Sequence, residues 1–341
     1  MSGTAAPGPG IVLVGGDPAD APPPTPRGTP GRPLPIVIDC DPGHDDAVAI
    51  LLALSRPDLR VLGISTVGGN AVLESTTDTA LRVLALAGRQ EIEVAAGAAH
   101  PLDGPLHTAP HVHGESGIEG PELPPPASAA IDEFAPHAMA RWIRASTEPV
   151  VLVPTGPLTN VALLLAEHPD VRERIAHVCL MGGSVTEGNI TPAAEFNIWV
   201  DPEAADAVFA SGLPITMIGL DVTHRSIVWE PERDRIAAGG GRVALAVAGL
   251  LAYFQAFHER TYGWAGTPIH DAVAVAHLVA PSLVRTAAVN VEIETAGRWT
   301  RGRTVVDLRR VTGRPPNAHV GLDIDRERFV ALLEESIRSY S

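Results

Sequence analysis

Lysine is absent from this chain of 341 residues. All 25 basic residues are arginine, and they face 40 Asp and Glu residues, so the formal net charge is −15. The absence of lysine excludes Schiff-base chemistry, pyridoxal phosphate anchoring and phosphate-binding loops that require a lysine. The acidic balance opposes binding to a phosphate backbone, so we expect no nucleic-acid partner.

Cysteine is also scarce, since Cys40 and Cys179 are the only two and lie far apart in the chain. Two such residues cannot form a multi-cysteine zinc site. No apolar run has the length needed to span a bilayer, and the first residues lack the charge pattern of a secretion signal. We therefore expect a cytoplasmic protein with no membrane partner. Any catalysis must use carboxylates, histidines, hydroxyls, amides or a metal ion.

The N-terminal region differs in composition from the rest of the chain. Residues 1–35 contain ten prolines and seven glycines but no Phe, Trp or Tyr. Such a segment buries too little apolar surface to offset its ordering entropy. We predict a disordered tail over residues 1–34, or a stretch upstream of the true start, followed by a single catalytic domain over 35–341.

From residue 35 onward, short apolar runs alternate with helical patterns. This alternation predicts an α/β fold of Rossmann-like type, in which a mostly parallel central sheet carries helices on both faces. In such folds the ligand site lies at the C-terminal ends of the strands. The predicted strands cover residues 36–38, 60–67, 150–153, 177–181, 215–220, 289–294 and 304–308. The predicted helices cover residues 46–54, 73–87, 158–166, 243–262, 271–279 and 329–336, with another opening at Asp201.

The most informative segment reads Asp-Cys-Asp-Pro-Gly-His-Asp-Asp over residues 39–46. It holds Asp39, Asp41, Asp45 and Asp46 directly after a buried strand and at the start of a helix. So many carboxylates repel one another unless a positive charge lies among them. Oxygen ligands without clustered Cys or His favour Ca²⁺ or Mg²⁺. A solvated acidic turn is the alternative.

Other predicted strand ends carry polar groups that could complete such a site. The backbone carbonyl of Thr155 and the carboxylate of Asp271 are candidate ligands, although His270-Asp271 also suits an ordinary helix start. Amides and a carboxylate at these positions suit a polyhydroxylated ligand, and the alternative for each Asn is local turn capping. These residues are Asn70, Asn189, Glu195 and Asn197.

Histidines form the third feature. Residues 100–128 show little periodicity and contain His111 and His113, which could ligate a metal or contact a substrate. A long irregular loop is usually functional or disordered. His258 and Tyr262 lie one helical turn apart and therefore share a face, for ligand contact or for packing.

Taken in order, these segments resemble the inosine–uridine-type nucleoside hydrolases over roughly residues 35–335. The variants TPAAEFN and TVVDLRRVTG look most similar to the pyrimidine-preferring ribonucleoside hydrolases. The segments that carry the family resemblance are DCDPGHDDAVAILLA, VGGN, HGESG, VPTGPLTNVALLL, MGGSVTEGN, TPAAEFN, VDPEAA, GLDVTH and the HDA that begins at His270.

The resemblance implies calcium-dependent hydrolysis of the N-glycosidic bond of ribonucleosides, in a homodimer or homotetramer. It implies a Ca²⁺ ion held by Asp41, Asp46, Asp271 and the carbonyl of Thr155, with Asp39 supporting the metal loop. The residues that match the family's ribose contacts are Asp45, Asn70, Asn189, Glu195 and Asn197.

Catalytic roles follow from the chemistry of an oxocarbenium-like ribosyl cation. Asp41 could accept a proton from the attacking water. His270, His113 and Tyr262 are the available donors to the leaving base. By resemblance, His258 and Tyr262 fall at base contacts, although His258 stands where Gln is expected.

Three alternatives remain open. A purine or broad-specificity nucleoside hydrolase would use the same motifs, and a non-catalytic calcium-dependent nucleoside- or ribose-binding protein would need the same carboxylates. A phosphatase of the haloacid dehalogenase type also places Asp-x-Asp after its first strand. Its helper lysine is impossible here, although Arg can replace it.

Overall fold

The structure, a computed structural model, describes residues 24–114 and 116–340. The strands are β1 (Leu34–Cys40), β2 (Leu59–Thr66), β3 (Val94–Ala96), β4 (Val150–Pro154), β5 (Ile175–Met181), β6 (Ile215–Ile218), β7 (Ile227–Trp229), β8 (Gly266–Pro268), β9 (Val284–Val289), β10 (Val291–Ile293), β11 (Thr304–Val306) and β12 (Ala318–Ile324). The helices are α1 (His44–Ser55), α2 (Leu73–Ala87), α3 (Pro110–His113), α4 (Ala135–Ala145), α5 (Thr159–Glu167), α6 (Phe196–Val200), α7 (Pro202–Phe209), α8 (Leu220–Thr223), α9 (Glu230–Ala238), α10 (Gly241–Tyr262), α11 (His270–Val279) and α12 (Arg326–Arg338).

A sheet of eight strands forms the centre of the fold, in the order β3-β2-β1-β4-β5-β6-β12-β9. Every pairing is parallel except that of β12 with β9 at one edge. The predicted fold class is therefore confirmed. The C-terminal ends of the parallel strands all lie on the same side of the sheet, so the loops that follow β1, β2, β4 and β5 meet there.

Helices cover both faces of this sheet, and the alternation of side chains in β1 shows how. Ile36 and Ile38 pack in the larger apolar core with α1, α10, α11 and α12. Val37 points to the other face and packs in a second core with α4, α5 and α7. A central strand buried on both faces needs an apolar run of this kind.

Most predicted boundaries differ from the structure by a few residues, and two of the differences are informative. Helix α1 begins at His44 rather than residue 46, because the Gly43 N–H donates to the Asp46 carboxylate at 3.0 Å and caps the first turn. The predicted strand over 289–294 is two strands separated at Asn290. Its first part lies at the end of β9, and β10 pairs antiparallel with β11, as expected for the two predicted strands.

The predicted tail over residues 1–34 lies mostly outside the described residues, which begin at residue 24. In the described part, Thr25 Oγ1 hydrogen-bonds Thr216 Oγ1 at 2.9 Å and His277 Nε2 at 3.1 Å. Leu34 already belongs to β1. Among the described residues, no helix combines the length and apolar character that crossing a membrane requires.

Candidate active site

A cleft opens at the C-terminal edge of the sheet and encloses about 710 Å³ of space, part of it open to solvent. One half is lined by carboxylates and amides from the ends of the strands. The other half is lined by histidines and aromatic rings from α3, α8, α10 and the start of α11. The predicted residues that line it are Asp45, Asn70, His111, His113, Thr155, Asn189, Glu195, Asn197, His258, Tyr262, His270 and Asp271.

Three carboxylates meet in the polar half of the cleft. Asp45, Asp46 and Asp271 each offer an oxygen, and these oxygens lie within 4.8 Å of one another. Asp45 and Asp46 stand in the first turn of α1, and Asp271 stands in the first turn of α11. The positive ends of two helix dipoles therefore point toward this group, but their partial charges are too small to balance three carboxylates.

Asp41 lies beside this group without belonging to it. Its Oδ2 accepts the N–H of Asn70 at 2.7 Å, and its buried Oδ1 has no hydrogen-bond partner among the described residues. Gly69 and Gly156 make room for it, since a Cβ at either position would stand 2.0 or 2.6 Å from an Asp41 oxygen. One buried carboxylate oxygen therefore still needs a positive partner.

The electrostatics of the group favour the binding of a cation. Burial and the charge of Asp46 raise the pKa of Asp45 to about 7. Burial, then the neighbouring carboxylates, raise the pKa of Asp41 and Asp271 well above the usual range. Among the residues that the structure describes, no arginine lines the cleft. A hard divalent ion fits this all-oxygen donor set, which includes no Cys or His.

Thr155 and Asn197 connect the carboxylates to the end of β5. The Thr155 hydroxyl donates to Asp46 Oδ1 at 2.8 Å, which fixes one oxygen of that side chain. Asn197 Nδ2 donates to the carbonyls of Thr155 at 2.8 Å and Met181 at 3.2 Å. The Thr155 carbonyl, a predicted metal ligand, keeps a second lone pair for another partner.

Glu195 and Asn189 have local roles as well as facing the cleft. Glu195 caps α6 by accepting the N–H groups of Asn197 and Ile198, and burial raises its pKa to about 7. Asn189 Oδ1 accepts the N–H of Phe196 at 2.9 Å, which leaves its amide N–H groups for the cleft. Local capping, the alternative raised for each Asn, thus describes the contact of Asn189, and Glu195 caps a helix as well. Neither contact excludes a ligand.

Asp39 does not line the cleft. It lies on the opposite side of β1, where it accepts from Ser65 Oγ at 2.7 Å and Asn160 Nδ2 at 2.8 Å. Burial raises its pKa to about 7. Asn70, by contrast, reaches both Asp41 and Asp46 through its side-chain amide. Asp39 thus supports the C-terminal end of β1 from the side away from the cleft.

The second half of the cleft is built from rings in contact. His258 lies 4.5 Å from Phe254 and 6.3 Å from His270, measured between ring centroids. Burial lowers the pKa of His258 to about 4 and holds the pKa of His270 well below its usual range. The Nδ1 of His270 hydrogen-bonds Thr223 Oγ1 at 2.8 Å, which fixes its ring at the start of α11.

His113 is held from behind by a residue of the Asp-rich segment. His44 Nε2 donates to the Glu119 carbonyl at 2.6 Å, and its Nδ1 lies 3.0 Å from His113 Nδ1. The two rings stack with centroids 5.3 Å apart. Neither His111 nor His113 belongs to a potential metal-ligating group among the described residues.

Sequence reasoning missed part of this ring cluster. His224, Phe254 and Phe257 also line the cleft. The helical spacing of Phe254 with His258 and Tyr262 could have identified it as part of the same face of α10. His224, which ends the GLDVTH segment after β6, carried no periodic signal.

Comparison with known proteins agrees with this geometry. Residues 36–331 match the family model described as inosine-uridine preferring nucleoside hydrolase. The chain is 48% identical over 309 residues to the pyrimidine-specific ribonucleoside hydrolase RihA of Escherichia coli O9:H4 (strain HS), covering 90% of this chain and 99% of that protein. The RihA of Escherichia fergusonii gives the same identity and coverage.

Solved structures show the same similarity. The purine-preferring ribonucleoside hydrolase from Gardnerella vaginalis superposes with a TM-score of 0.84 at 32% identity, covering 90% of this chain and 98% of that one. The plant nucleoside hydrolase PpNRh1 superposes with a TM-score of 0.84 at 31% identity, covering 89% and 99%.

Proposed function

The chain belongs to the inosine–uridine preferring nucleoside hydrolase family and is thus an N-glycosidase of ribonucleosides, and on that premise we propose that it requires Ca²⁺ and prefers pyrimidine nucleosides. The single observation that carries the proposal is the convergence of Asp45, Asp46 and Asp271 from two helices that are far apart in the sequence, beside an oxygen of Asp41 that has no partner among the described residues. A cation that also binds ribose hydroxyls would satisfy these oxygens.

The proposed metal ligands are Asp41, Asp46, Asp271 and the carbonyl of Thr155, with Asp45 close enough to bind the ion or a sugar hydroxyl. When bound, the ion lowers the pKa of a nearby water and orders vicinal hydroxyls. Asp41 would accept a proton from the attacking water, because its Oδ1 has no hydrogen-bond partner among the described residues.

Stabilisation of the ribosyl cation falls to the polar half of the cleft. Asn70, Asn189 and Asn197 face it with amides held by backbone contacts, and Glu195 adds a buried carboxylate. Groups fixed in advance stabilise developing charge without reorganisation at the moment of reaction. The ring-lined half then receives the base, with His270, His113 and Tyr262 as candidate donors to it.

Pyrimidine preference is supported by the relatives at higher identity. The proteins at 48% identity are named pyrimidine-specific, while the structure named purine-preferring is at 32%. His258 and Tyr262 lie in the ring-lined half, where the base would be received. This placement supports the two base contacts that the resemblance implies.

The decisive experiment incubates the full chain with uridine, cytidine, inosine, adenosine and guanosine and measures free ribose. We expect the two pyrimidine nucleosides to give the highest kcat/KM, a chelator to abolish turnover, and added Ca²⁺ to restore it better than Mg²⁺. Binding without ribose release would instead identify a nucleoside-binding protein, and faster turnover of inosine would identify a purine or broad-specificity enzyme.

Two further proposals concern the assembly and its location. We propose a homodimer or homotetramer, which light scattering of the purified chain would test. A cytoplasmic location is supported by Cys40 and Cys179, which are both buried and unpaired, as suits a reducing compartment.

A further inference from the structure

The hydrogen-bond donors and acceptors around His258 fix which of its nitrogens carries the proton. Its Nδ1 lies 2.9 Å from the backbone carbonyl of Phe254, one turn earlier in α10. A carbonyl oxygen can only accept, so Nδ1 must donate. Thr267 Oγ1, at 3.2 Å from the same nitrogen, accepts a second branch of this bond and directs its own hydroxyl to the Pro268 carbonyl.

A neutral imidazole that donates through Nδ1 carries a lone pair on Nε2 and no proton there. His258 is only 3% exposed, and burial lowers its pKa to about 4, so the ring is neutral at pH 7. Among the described residues no group hydrogen-bonds to its Nε2. His258 is one of the residues that line the cleft, where a ligand would be bound.

Packing holds the ring in that orientation. Trp264 stacks on His258 with an interplanar angle of 4°, and Phe254 packs edge-on with its ring centroid 4.5 Å away. The ring of Phe257 also packs edge-on against His258, with the two ring centroids 5.1 Å apart. A flip of the imidazole would place a carbon against the Phe254 carbonyl and lose the Nδ1 hydrogen bond, so the tautomer and the orientation are fixed together.

Resting on the proposed function, we infer that His258 acts as an obligate hydrogen-bond acceptor that selects nucleobases presenting an N–H to it. Uracil offers an imide N–H at N3, and cytosine offers an exocyclic amine. The Gln expected by resemblance at this position carries both a donor and an acceptor and cannot discriminate in this way. His258 is thus a specificity-determining residue for the leaving base.

The first test is spectroscopic and needs no substrate. Protein labelled with ¹⁵N-histidine is examined by long-range ¹H–¹⁵N correlation, and the His258 signals are assigned by their loss in the His258→Phe variant. We expect the chemical shifts of a neutral ring protonated at Nδ1. Protonation at Nε2 overturns the inference, whether or not the protein hydrolyses nucleosides.

The second test measures each variant on each substrate. Because the variants are compared on the same substrate, differences in glycosidic-bond reactivity between substrates do not affect the result. Wild type and His258→Phe are compared on uridine, cytidine and the ribonucleoside of pyrimidin-2-one, which has no N–H donor on its base. We expect His258→Phe to lower kcat/KM about 10- to 100-fold for uridine and cytidine, the usual range for an unpaired buried donor. For the pyrimidin-2-one ribonucleoside, the change should be under about 3-fold.

Two variants complete the design. His258→Gln restores an acceptor and should recover part of the loss on uridine, while His137→Phe replaces a surface histidine that pairs with Glu167 outside the cleft and should change nothing. Equal losses on all three substrates overturn the inference while the proposed hydrolase function stands. If wild type hydrolyses none of them, the proposed function itself fails.

Discussion

Two buried polar clusters lie toward opposite edges of the central sheet. At the C-terminal edge, Asp45, Asp46 and Asp271 crowd together with no neutralising side chain in the cleft lining. Toward the N-terminal edge, the second cluster joins β5, β6, the end of α11 and the segment before β1. Its members are Thr25, His177, Thr216 and His277.

The two clusters differ in the charge that they bury. Burial lowers the pKa of His177 to about 3 and of His277 to about 4, so these histidines are neutral at pH 7. Their Nε2 atoms hydrogen-bond the two threonine hydroxyls, and only Nδ1 of each ring lacks a partner among the described residues. The carboxylates repel one another whenever they ionise. The first cluster therefore buries charge that a cation would balance, and the second buries none at pH 7.

The largest predicted effect tests that difference directly. Asp41→Asn should lower kcat for uridine by more than about 10⁴-fold, because it removes a proposed general base and a metal ligand together. Free ribose release measures it, with circular dichroism to verify the fold. Asp58→Asn, at the start of β2 next to Arg56, is the control and should keep wild-type turnover. Wild-type turnover by Asp41→Asn would refute the mechanism.

The pH dependence of stability should differ in sign between the two clusters. In chelated protein, the folded pKa of Asp45 is about 7 against an ordinary value of 3.8, so the folded state retains a proton that the unfolded state has lost. Stability should therefore fall as pH rises from about 4 to 7. Added Ca²⁺ should reduce this decline, since the ion binds the ionised form of the clustered carboxylates, while the part due to Asp39 and Glu195 should remain.

His177 and His277 should change stability with pH in the opposite direction. Their folded pKa values, about 3 and 4, lie below the ordinary 6.5, so the unfolded state binds more protons below pH 6.5. They should cause stability to fall as pH drops from about 6.5 toward 4, with or without Ca²⁺. Urea melts across pH 4 to 8, with Ca²⁺ or with a chelator, separate the two effects. An identical profile in both series would contradict the metal site.

A moderate effect is expected from a substitution in the second cluster. Thr216→Val keeps the shape of the side chain but removes the hydroxyl that contacts Thr25 and His177. We expect a loss of about 1–3 kcal/mol in unfolding free energy, measured by urea denaturation, because buried partners are left unpaired. The kcat for uridine should remain unchanged. A large loss of activity at unchanged stability would show that the two clusters are coupled.

The smallest effect concerns the sugar. Asn189→Ala should raise KM about 10-fold through the loss of an amide contact to ribose. The melting temperature should change little, since Asn189 contributes one hydrogen bond, to the N–H of Phe196. If the variant melts earlier but binds uridine normally, Asn189 has a structural role only.

Motif and strand order predicted the polar half of the site well, because the ends of parallel strands must meet at one edge. Asp45, Asp271 and Asn197 all face the cleft as expected. The ring-lined half was predicted less completely, because its residues come from helices whose relative rotation depends on packing. His44, for example, acts on the cleft through the rings of His113 and Phe254, and nothing in the sequence shows those contacts.

Two glycines that contact Asp41 limit which part of the cleft can be redesigned. Side chains cannot be introduced at Gly69 or Gly156 without displacing the Asp41 carboxylate, so the chemical half of the cleft tolerates little variation. Helix α10 presents Phe254, His258 and Tyr262 on one face, which lines the half of the cleft that receives the base. Libraries that aim to change the preferred nucleobase should therefore vary that single helix and leave the strand ends untouched.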